Sequence, residues 1–251
     1  MVACILLAGW ISLSTGHSLS DSFSVRTIGN VPVSDIESVK SSVRASSKMV
    51  LRFMGQPKVT PFEVVICGDR ASFDKELAAE YLTPNAQRWM VGAGMRRGLC
   101  ILNPSRWKTD AADHDPSNVA ATKRLICHEI VHVYHAQINP SRDFDGMDDL
   151  GWLVEGVAVY ASGQLDTEHK SDGQQAVRAN AVPDKLGNFF GGRYGYGISG
   201  SLVAYIDHRY GHKTLLELLQ MTKPDQVLGR LKTGESALIT DWKSSLGARH
   251  D

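Results

Sequence analysis

A short motif in the middle of the chain constrains the fold more than any other feature. Residues 128–132 read His-Glu-Ile-Val-His, so two histidines lie four positions apart and a glutamate follows the first. Residues at this spacing share one face of an α-helix. Both imidazoles can then reach one zinc ion, while Glu129 lies about 100° around the helix, where it can touch a water on the metal without being a ligand. The motif therefore predicts a helix with His128 and His132 as metal ligands and Glu129 as the base.

Two simpler explanations of the motif are a chance match and a buried structural pair of histidines. A shuffled chain of this composition would contain about 0.01 such motifs, so chance is a poor explanation. Apolar residues occupy the other sides of the same helix, which leaves the motif as its polar part. These residues are Ile126, Ile130 and Val133 on the opposite side, and Cys127, Val131, Tyr134 and Ile138 on one flank. The pattern favours a metal site over a structural pair.

A catalytic zinc site needs a third protein ligand and an open fourth position. The extended motif H-E-x-x-H-x-x-G-x-x-H is excluded, because His135 and Ile138 stand where it requires glycine and histidine. His135 is expected to support the site or to pack. Glu155 is the only carboxylate in the apolar segment 152–160, and a buried glutamate without a partner would be costly. We therefore expect Glu155 to be the third ligand. Small residues on its helix face should let the two helices approach each other: Gly151, Ala158 and Ser162.

The two motifs together resemble a known family. His-Glu-Ile-Val-His followed by Trp-Leu-Val-Glu-Gly-Val-Ala-Val-Tyr at residues 152–160 resembles the gluzincin peptidases, the thermolysin- and aminopeptidase-like group. Residues 194–197, Tyr-Gly-Tyr-Gly, and the segment after them are similar to a helix of small bacterial proteins with a peptidase MA-like domain. The resemblance covers roughly residues 118–222. It implies one bound zinc ion, a tyrosine that donates a hydrogen bond to the oxyanion, which would be Tyr196 with Tyr194 as its rival, and a peptide or protein substrate.

The resemblance predicts a zinc-dependent hydrolase, most simply a peptidase, and two alternatives stay open. One is a secreted binding or structural protein that retains zinc without turnover, and the other is a hydrolase of non-peptide amides or esters. Residues 98–103 are expected to form a strand whose edge pairs with an extended peptide. The residues do not distinguish an endopeptidase from an exopeptidase, and they do not give the oligomeric state.

The hydrophobic patterns predict an α+β fold. Strand patterns and two helices occupy the first part of the chain, and helical patterns dominate from about residue 118. We expect one domain at residues 19–251, with an antiparallel or mixed sheet lobe at 19–116, a helical lobe at 117–251, and zinc in the cleft between them. The predicted strands are 23–28, 58–67, 89–93 and 98–103. Residues 32–35 open a helical pattern that continues to Phe53, and the further predicted helices are 72–82, 119–137, 149–162, 198–210, 213–221 and one near 235–246.

Charge and the N-terminal residues bear on localisation and partners. The 27 basic and 27 acidic side chains cancel, which argues against a nucleic-acid partner. Residues 1–18 resemble a signal peptide, although no Lys or Arg precedes the apolar run, and that run is too short to span a bilayer, which needs about 20 apolar residues. We therefore expect a secreted or periplasmic protein without a stable membrane span.

Three cysteines follow the predicted signal peptide: Cys67, Cys100 and Cys127. An odd number leaves at least one thiol unpaired within the chain. Cys67 ends one strand-like run and Cys100 lies within another, so a disulfide bond between neighbouring strands is conceivable. Two buried thiols are the favoured interpretation.

Overall fold

The computed structural model describes residues 22–81, 86–111 and 114–247. The predicted signal peptide at residues 1–18 lies outside this part. The α+β class is confirmed: a small mixed sheet is followed by a helical region. The strands are β1 (Phe23–Ile28), β2 (Phe62–Cys67), β3 (Gly92–Met95) and β4 (Gly98–Leu102). The helices are α1 (Val33–Phe53), α2 (Arg70–Glu80), α3 (Trp107–Asp110), α4 (Val119–Ile138), α5 (Gly151–Ser162), α6 (Asp172–Arg178), α7 (Gly195–Tyr210), α8 (His212–Leu218), α9 (Pro224–Leu231) and α10 (Glu235–Gly247).

The four strands are ordered β1-β2-β4-β3. β1 pairs in parallel with β2, β2 pairs in parallel with β4, and β3 pairs antiparallel with β4. The prediction that residues 98–103 offer a free strand edge is therefore wrong, because β4 is hydrogen-bonded on both sides. The shorter strand β3 forms the edge beyond it, and it packs against α4.

Local sequence accounts for most of the elements. β2 is almost entirely buried, as expected of an apolar run in a strand with neighbours on both sides. α2 begins where the Asp69 side chain accepts a hydrogen bond from the Ser72 N–H, as an N-cap residue does. The second and third strands begin later than predicted, at Phe62 and Gly92. Three short helices were not predicted, namely α3, α6 and α9.

One buried core connects the sheet to the helices. The Phe62 ring of β2 meets the Tyr134 ring of α4 edge-on, with centroids 5.7 Å apart. α4 also packs against α1 and α5, and α5 packs against α7. Helix α4, which carries the histidine motif, is therefore held from several sides by buried apolar contacts. Within the described ranges, no helix is both long enough and apolar enough to cross a membrane.

The three cysteines are free and buried, in agreement with the favoured interpretation. The sulfur atoms of Cys67 and Cys100, on the neighbouring strands β2 and β4, lie 3.9 Å apart without a bond between them. The Cys127 side chain, on α4, lies in the buried core, and burial raises the pKa of its thiol to about 12.

Candidate metal centre

The structure brings the three predicted ligands together. α4 supplies His128 and His132, and α5 supplies Glu155. The Nε2 atoms of the two histidines are 3.0 Å apart, and Glu155 Oε2 lies 3.3 Å from the first and 3.4 Å from the second. Tetrahedral zinc with bonds of about 2.0–2.1 Å places its ligand atoms about 3.3 Å from one another. The triangle therefore has the size and the donor set for one zinc ion.

The three side chains are held in a buried and charged environment. Burial raises the pKa of the Glu155 carboxyl, but the imidazoles of His132 and His128 outweigh this effect and hold the pKa well below its usual range. Burial lowers the pKa of His132, and the nearby carboxylate of Glu155 reverses this and raises it. Glu155 is thus an anion in the folded protein, as a zinc ligand must be.

A further side chain fixes the orientation of the first histidine. The Gln164 side-chain oxygen lies 2.8 Å from His128 Nδ1. Because an amide oxygen only accepts hydrogen bonds, Nδ1 is the donor and Nε2 keeps its lone pair for the metal. Sequence reasoning missed Gln164, since no motif marks it and it follows the end of α5.

Glu129 is anchored beside the triad by the edge strand. Its Oε2 accepts a hydrogen bond of 2.8 Å from the Gly94 N–H. A Cβ atom on Gly94 would lie 2.0 Å from the Glu129 carbonyl oxygen, and one on Gly92 would lie 2.9 Å from Glu129 Cγ. Gly94 is therefore required for β3 to lie this close to α4, because its contact is with backbone, whereas the contact at Gly92 is with the side chain of Glu129.

Tyr196 faces the same site from the first turn of α7. Its ring centroid lies 6.0 Å from that of His128. Burial, with the carboxylates of Glu155 and Glu129 nearby, raises the pKa of the phenol, which therefore keeps its proton. Tyr194 instead contacts the Arg193 guanidinium, 5.4 Å from its ring centroid, and it is not among the described residues that line the cavity.

A histidine–aspartate pair supports Tyr196. The His169 ring stacks on the Tyr196 ring with centroids 5.5 Å apart, and His169 Nδ1 lies 2.9 Å from Asp172 Oδ2. A Cβ atom on Gly197 would lie 2.2 Å from Asp172 Cβ, so only glycine allows this contact. Sequence reasoning missed the pair, because a single histidine in a polar stretch carries no recognisable spacing.

A cavity of about 700 Å³ is lined by the three predicted metal ligands and also by Glu129 and Tyr196. Strand β3 forms one side of it, and α4, α5 and the start of α7 form the others. Apolar side chains make up much of the wall: Trp89, Met90, Val91, Met95, Trp107, Leu125, Phe144, Val154 and Phe190. A cavity with apolar walls and a few convergent polar groups is typical of a small-molecule or peptide site.

No family model, curated protein or solved structure matches this chain significantly. The gluzincin resemblance therefore depends on the residues of its motifs alone.

His135 packs rather than facing the metal ligands. It is fully buried, its Nε2 lies 3.1 Å from the Leu219 carbonyl oxygen, and its ring meets Phe144 edge-on. Burial lowers the pKa of His135 to about 3, so the imidazole is neutral and donates to this carbonyl. Its other ring nitrogen has no partner within the described residues.

Gly151, one of the three small residues expected to let α5 approach α4, acts differently from the prediction. A Cβ atom on Gly151 would meet Phe190 at an ordinary 3.8 Å, so this glycine is not needed for α5 to approach α4. The position that does require glycine is Gly156, where a Cβ atom would lie 2.5 Å from the Ser199 carbonyl oxygen of α7. The close helix contact is thus between α5 and α7, and it brings Tyr196 to the site of Glu155.

Proposed function

We propose that this protein is a zinc-dependent hydrolase that cleaves peptide bonds, a peptidase of the gluzincin type. One observation carries the proposal. The nitrogen atoms of His128 and His132 and a carboxylate oxygen of Glu155 form a triangle with sides of 3.0–3.4 Å, and the Glu129 carboxylate is anchored beside it. Three protein ligands with an open fourth position and a free carboxylate are the parts that metal-assisted hydrolysis needs.

His128, His132 and Glu155 would hold the metal. When bound, zinc supplies Lewis acidity, which polarises a carbonyl group and lowers the pKa of water. Glu129 takes the proton of the attacking water and passes it to the leaving amine, and the Gly94 N–H keeps its carboxylate in place. The Tyr196 hydroxyl donates a hydrogen bond to the oxygen on which negative charge develops. His169 holds the Tyr196 ring by stacking.

Strand β3 provides the surface for an extended substrate. The Val91 carbonyl accepts a hydrogen bond from Leu102 N–H, and the Gly94 N–H is directed to Glu129. Because backbone groups alternate in direction along a strand, those of Gly92 and Gly94 face away from β4. A peptide that pairs with this edge through the Gly92 backbone and the Gly94 carbonyl lies beside Glu129 and the metal ligands, while the Gly94 N–H stays bonded to Glu129. β3 thus takes the role that the sequence analysis gave to residues 98–103.

Metal content and turnover test the proposal together. We expect about one zinc per wild-type chain and per Glu129→Gln chain, and loss or weakening of zinc binding in His132→Ala and Glu155→Ala. His208→Ala and Glu37→Gln are matched controls, because both side chains are exposed. Cleavage of a mixed peptide library should require Glu129, so Glu129→Gln should be inactive while its zinc content is unchanged.

Each contrary outcome has a separate meaning. Absence of zinc, or zinc binding that is indifferent to Glu155, contradicts the metal site. Zinc binding without any Glu129-dependent cleavage of peptides contradicts the peptidase and leaves a protein that retains zinc. Glu129-dependent turnover of amides or esters but not of peptides identifies the wider class of hydrolase.

A further inference from the structure

We propose that Arg124 and Glu168 are positioning residues, and that their ion pair fixes one short segment that orients the first metal ligand and the proposed oxyanion donor together. This α5–α6 segment, residues 163–171, connects helices α5 and α6. The inference rests on the metal site of the proposed function, but it does not depend on which bond is cleaved.

The α5–α6 segment is a compact turn that is closed by its own hydrogen bonds. Gly163 ends α5 in the left-handed conformation, with φ 80°, which directs the chain out of the helix. The Gln164 carbonyl oxygen accepts hydrogen bonds from the Thr167 N–H at 3.2 Å and from the His169 N–H at 3.0 Å. The Thr167 hydroxyl donates to the Gly163 carbonyl oxygen at 3.0 Å. Gln164 and His169 are thus linked through the backbone, so a displacement of one moves the other.

Two side chains of the segment reach the site. The Gln164 side-chain oxygen accepts the hydrogen bond of His128 Nδ1 at 2.8 Å. The His169 ring stacks on the Tyr196 ring with centroids 5.5 Å apart. Gln164 and His169 both line the cavity, and Glu168 lies between them in the chain and lines it too. The orientations of His128 and Tyr196 therefore both depend on where the backbone of the segment lies.

The ion pair fastens the segment to α4. Arg124 precedes His128 by four residues, so the two side chains share one face of that helix. The Arg124 Nε atom lies 3.0 Å from each carboxylate oxygen of Glu168, and Nη2 lies 2.7 Å from Oε1. The Thr167 hydroxyl also donates to this carboxylate. A planar guanidinium that meets a carboxylate through several hydrogen bonds fixes its orientation as well as its position.

The segment is consequently attached to α4 at two points one helical turn apart. The first is the hydrogen bond between Gln164 and His128, and the second is the ion pair of Glu168 with Arg124. Without the ion pair, the Gln164 amide would have to hold the segment alone, and His128 would keep its acceptor for only part of the time. Because Arg124 and Glu168 are 25% and 31% exposed, the effect should be smaller than that of losing Gln164 itself.

A double-mutant cycle on zinc affinity tests whether the ion pair acts through Gln164. We expect Arg124→Gln to weaken zinc binding about three- to tenfold in competition with a chromogenic chelator. On the Gln164→Ala background, the same substitution should change the affinity by no more than about twofold. Arg230→Gln is the matched control, because it breaks an ion pair with Glu217 between α9 and α8. Neither of these two is among the described residues that line the cavity, so zinc affinity should be unchanged.

Glu168→Gln is the second variant, because it removes the charge and leaves a hydrogen-bond acceptor in place. It should weaken zinc binding as Arg124→Gln does, and the protein with both substitutions should bind zinc no more weakly than either single variant. Cobalt(II) in place of zinc gives a spectroscopic readout. The visible absorption of the Arg124→Gln protein should change in the same direction as that of Gln164→Ala, and that of Arg230→Gln should not change.

Hydrogen exchange in the metal-free protein tests the attachment itself. We expect Arg124→Gln to speed the exchange of the Thr167 and His169 N–H groups about fivefold, since both close the turn of the segment. Exchange within α4 and α5 should stay as in the wild type, which shows that the variant is folded.

Equal zinc affinity of the wild-type and Arg124→Gln proteins overturns the inference. An Arg124→Gln effect that keeps its full size on the Gln164→Ala background also overturns it, as does unchanged exchange in the segment. Wild-type protein that binds no zinc contradicts the proposed metal site and the inference with it. Zinc affinity that depends on Arg124 in the expected way, in a protein that cleaves no peptide, supports the inference and contradicts the peptidase alone.

Discussion

The contact between the edge strand β3 and helix α4 gives the sharpest test of the site geometry. In Gly94→Ala, the new Cβ atom would lie 2.0 Å from the Glu129 carbonyl oxygen and 3.0 Å from His132 Cβ. The first contact is with backbone, which cannot rotate away. Since Cβ atoms essentially never approach closer than 3.0 Å, β3 or α4 must move by at least about 1 Å.

A displacement of this size has two consequences. Where the movement lies along the hydrogen bond from Gly94 N to Glu129 Oε2, it lengthens this distance from 2.8 Å to about 3.8 Å, which no longer counts as a hydrogen bond. It also strains the packing around the site, at a cost of about 2–3 kcal/mol in the free energy of unfolding. For a chain of this length, that cost lowers Tm by about 4–12 °C.

Thermal unfolding and activity measure the effect, and two other glycines serve as references. Gly229→Ala in α9 meets nothing within 4 Å, so it should stabilise the protein by about 0.5–1 kcal/mol. Gly92→Ala meets the flexible side chain of Glu129, so it should impair activity more than stability. A Gly94→Ala protein with the wild-type Tm and wild-type activity would refute the close approach of β3 to α4.

Three further predictions concern the surroundings of the site. Gln164→Ala should weaken zinc binding about 10–100-fold, because His128 loses its hydrogen-bond acceptor. Competition with a chromogenic chelator measures this affinity, and Gln175→Ala, at an exposed position, should leave it unchanged. Equal affinities of the Gln164→Ala and wild-type proteins would show that Gln164 does not support the metal site. Burial raises the pKa of the Glu168 carboxyl, but hydrogen bonds from Arg124 and Thr167 outweigh burial and hold the pKa below its usual value. The ion pair of Glu168 with Arg124 therefore stabilises the fold above about pH 4.5, and this contribution is lost as the pH falls through the folded-state pKa. The stability difference between wild type and Arg124→Gln should therefore shrink below that pH in denaturant titrations, and a constant difference would contradict it. Cys67, Cys100 and Cys127 should resist alkylation at pH 8 until the chain unfolds, as judged by peptide mapping, and a linked Cys67–Cys100 peptide would contradict the free thiols.

The parts of the site that sequence could predict are those set by local geometry. Residues 128–132 lie on one helix, so the relative placement of His128, Glu129 and His132 follows from the helical repeat alone. Glu155 could be predicted for a different reason, because a single carboxylate in an apolar helix requires a partner. The α+β class followed from the change of pattern near residue 118.

The predictions that were wrong or missing concern features that depend on contacts between distant segments of the chain. Whether a strand lies at an edge is decided by the order of strands, and nothing within residues 98–103 reveals that β3 lies beyond them. The strand predicted at residues 89–93 begins only at Gly92, because Arg70 binds the carbonyl oxygens of residues 86–88 and 90. Gln164 and His169 act through tertiary contacts with His128 and Tyr196, which no sequence spacing records.

The continuous core limits how the two walls of the cavity can move relative to each other. Apolar packing runs from Phe62 in the sheet through Tyr134 of α4 to α5 and α7, so the two walls of the cavity share one interior. Rigid-body rocking about a hinge would have to break this packing, which is not continuously deformable. We therefore expect no domain closure when a peptide binds, so the scattering profile in solution should be the same with and without a bound peptide.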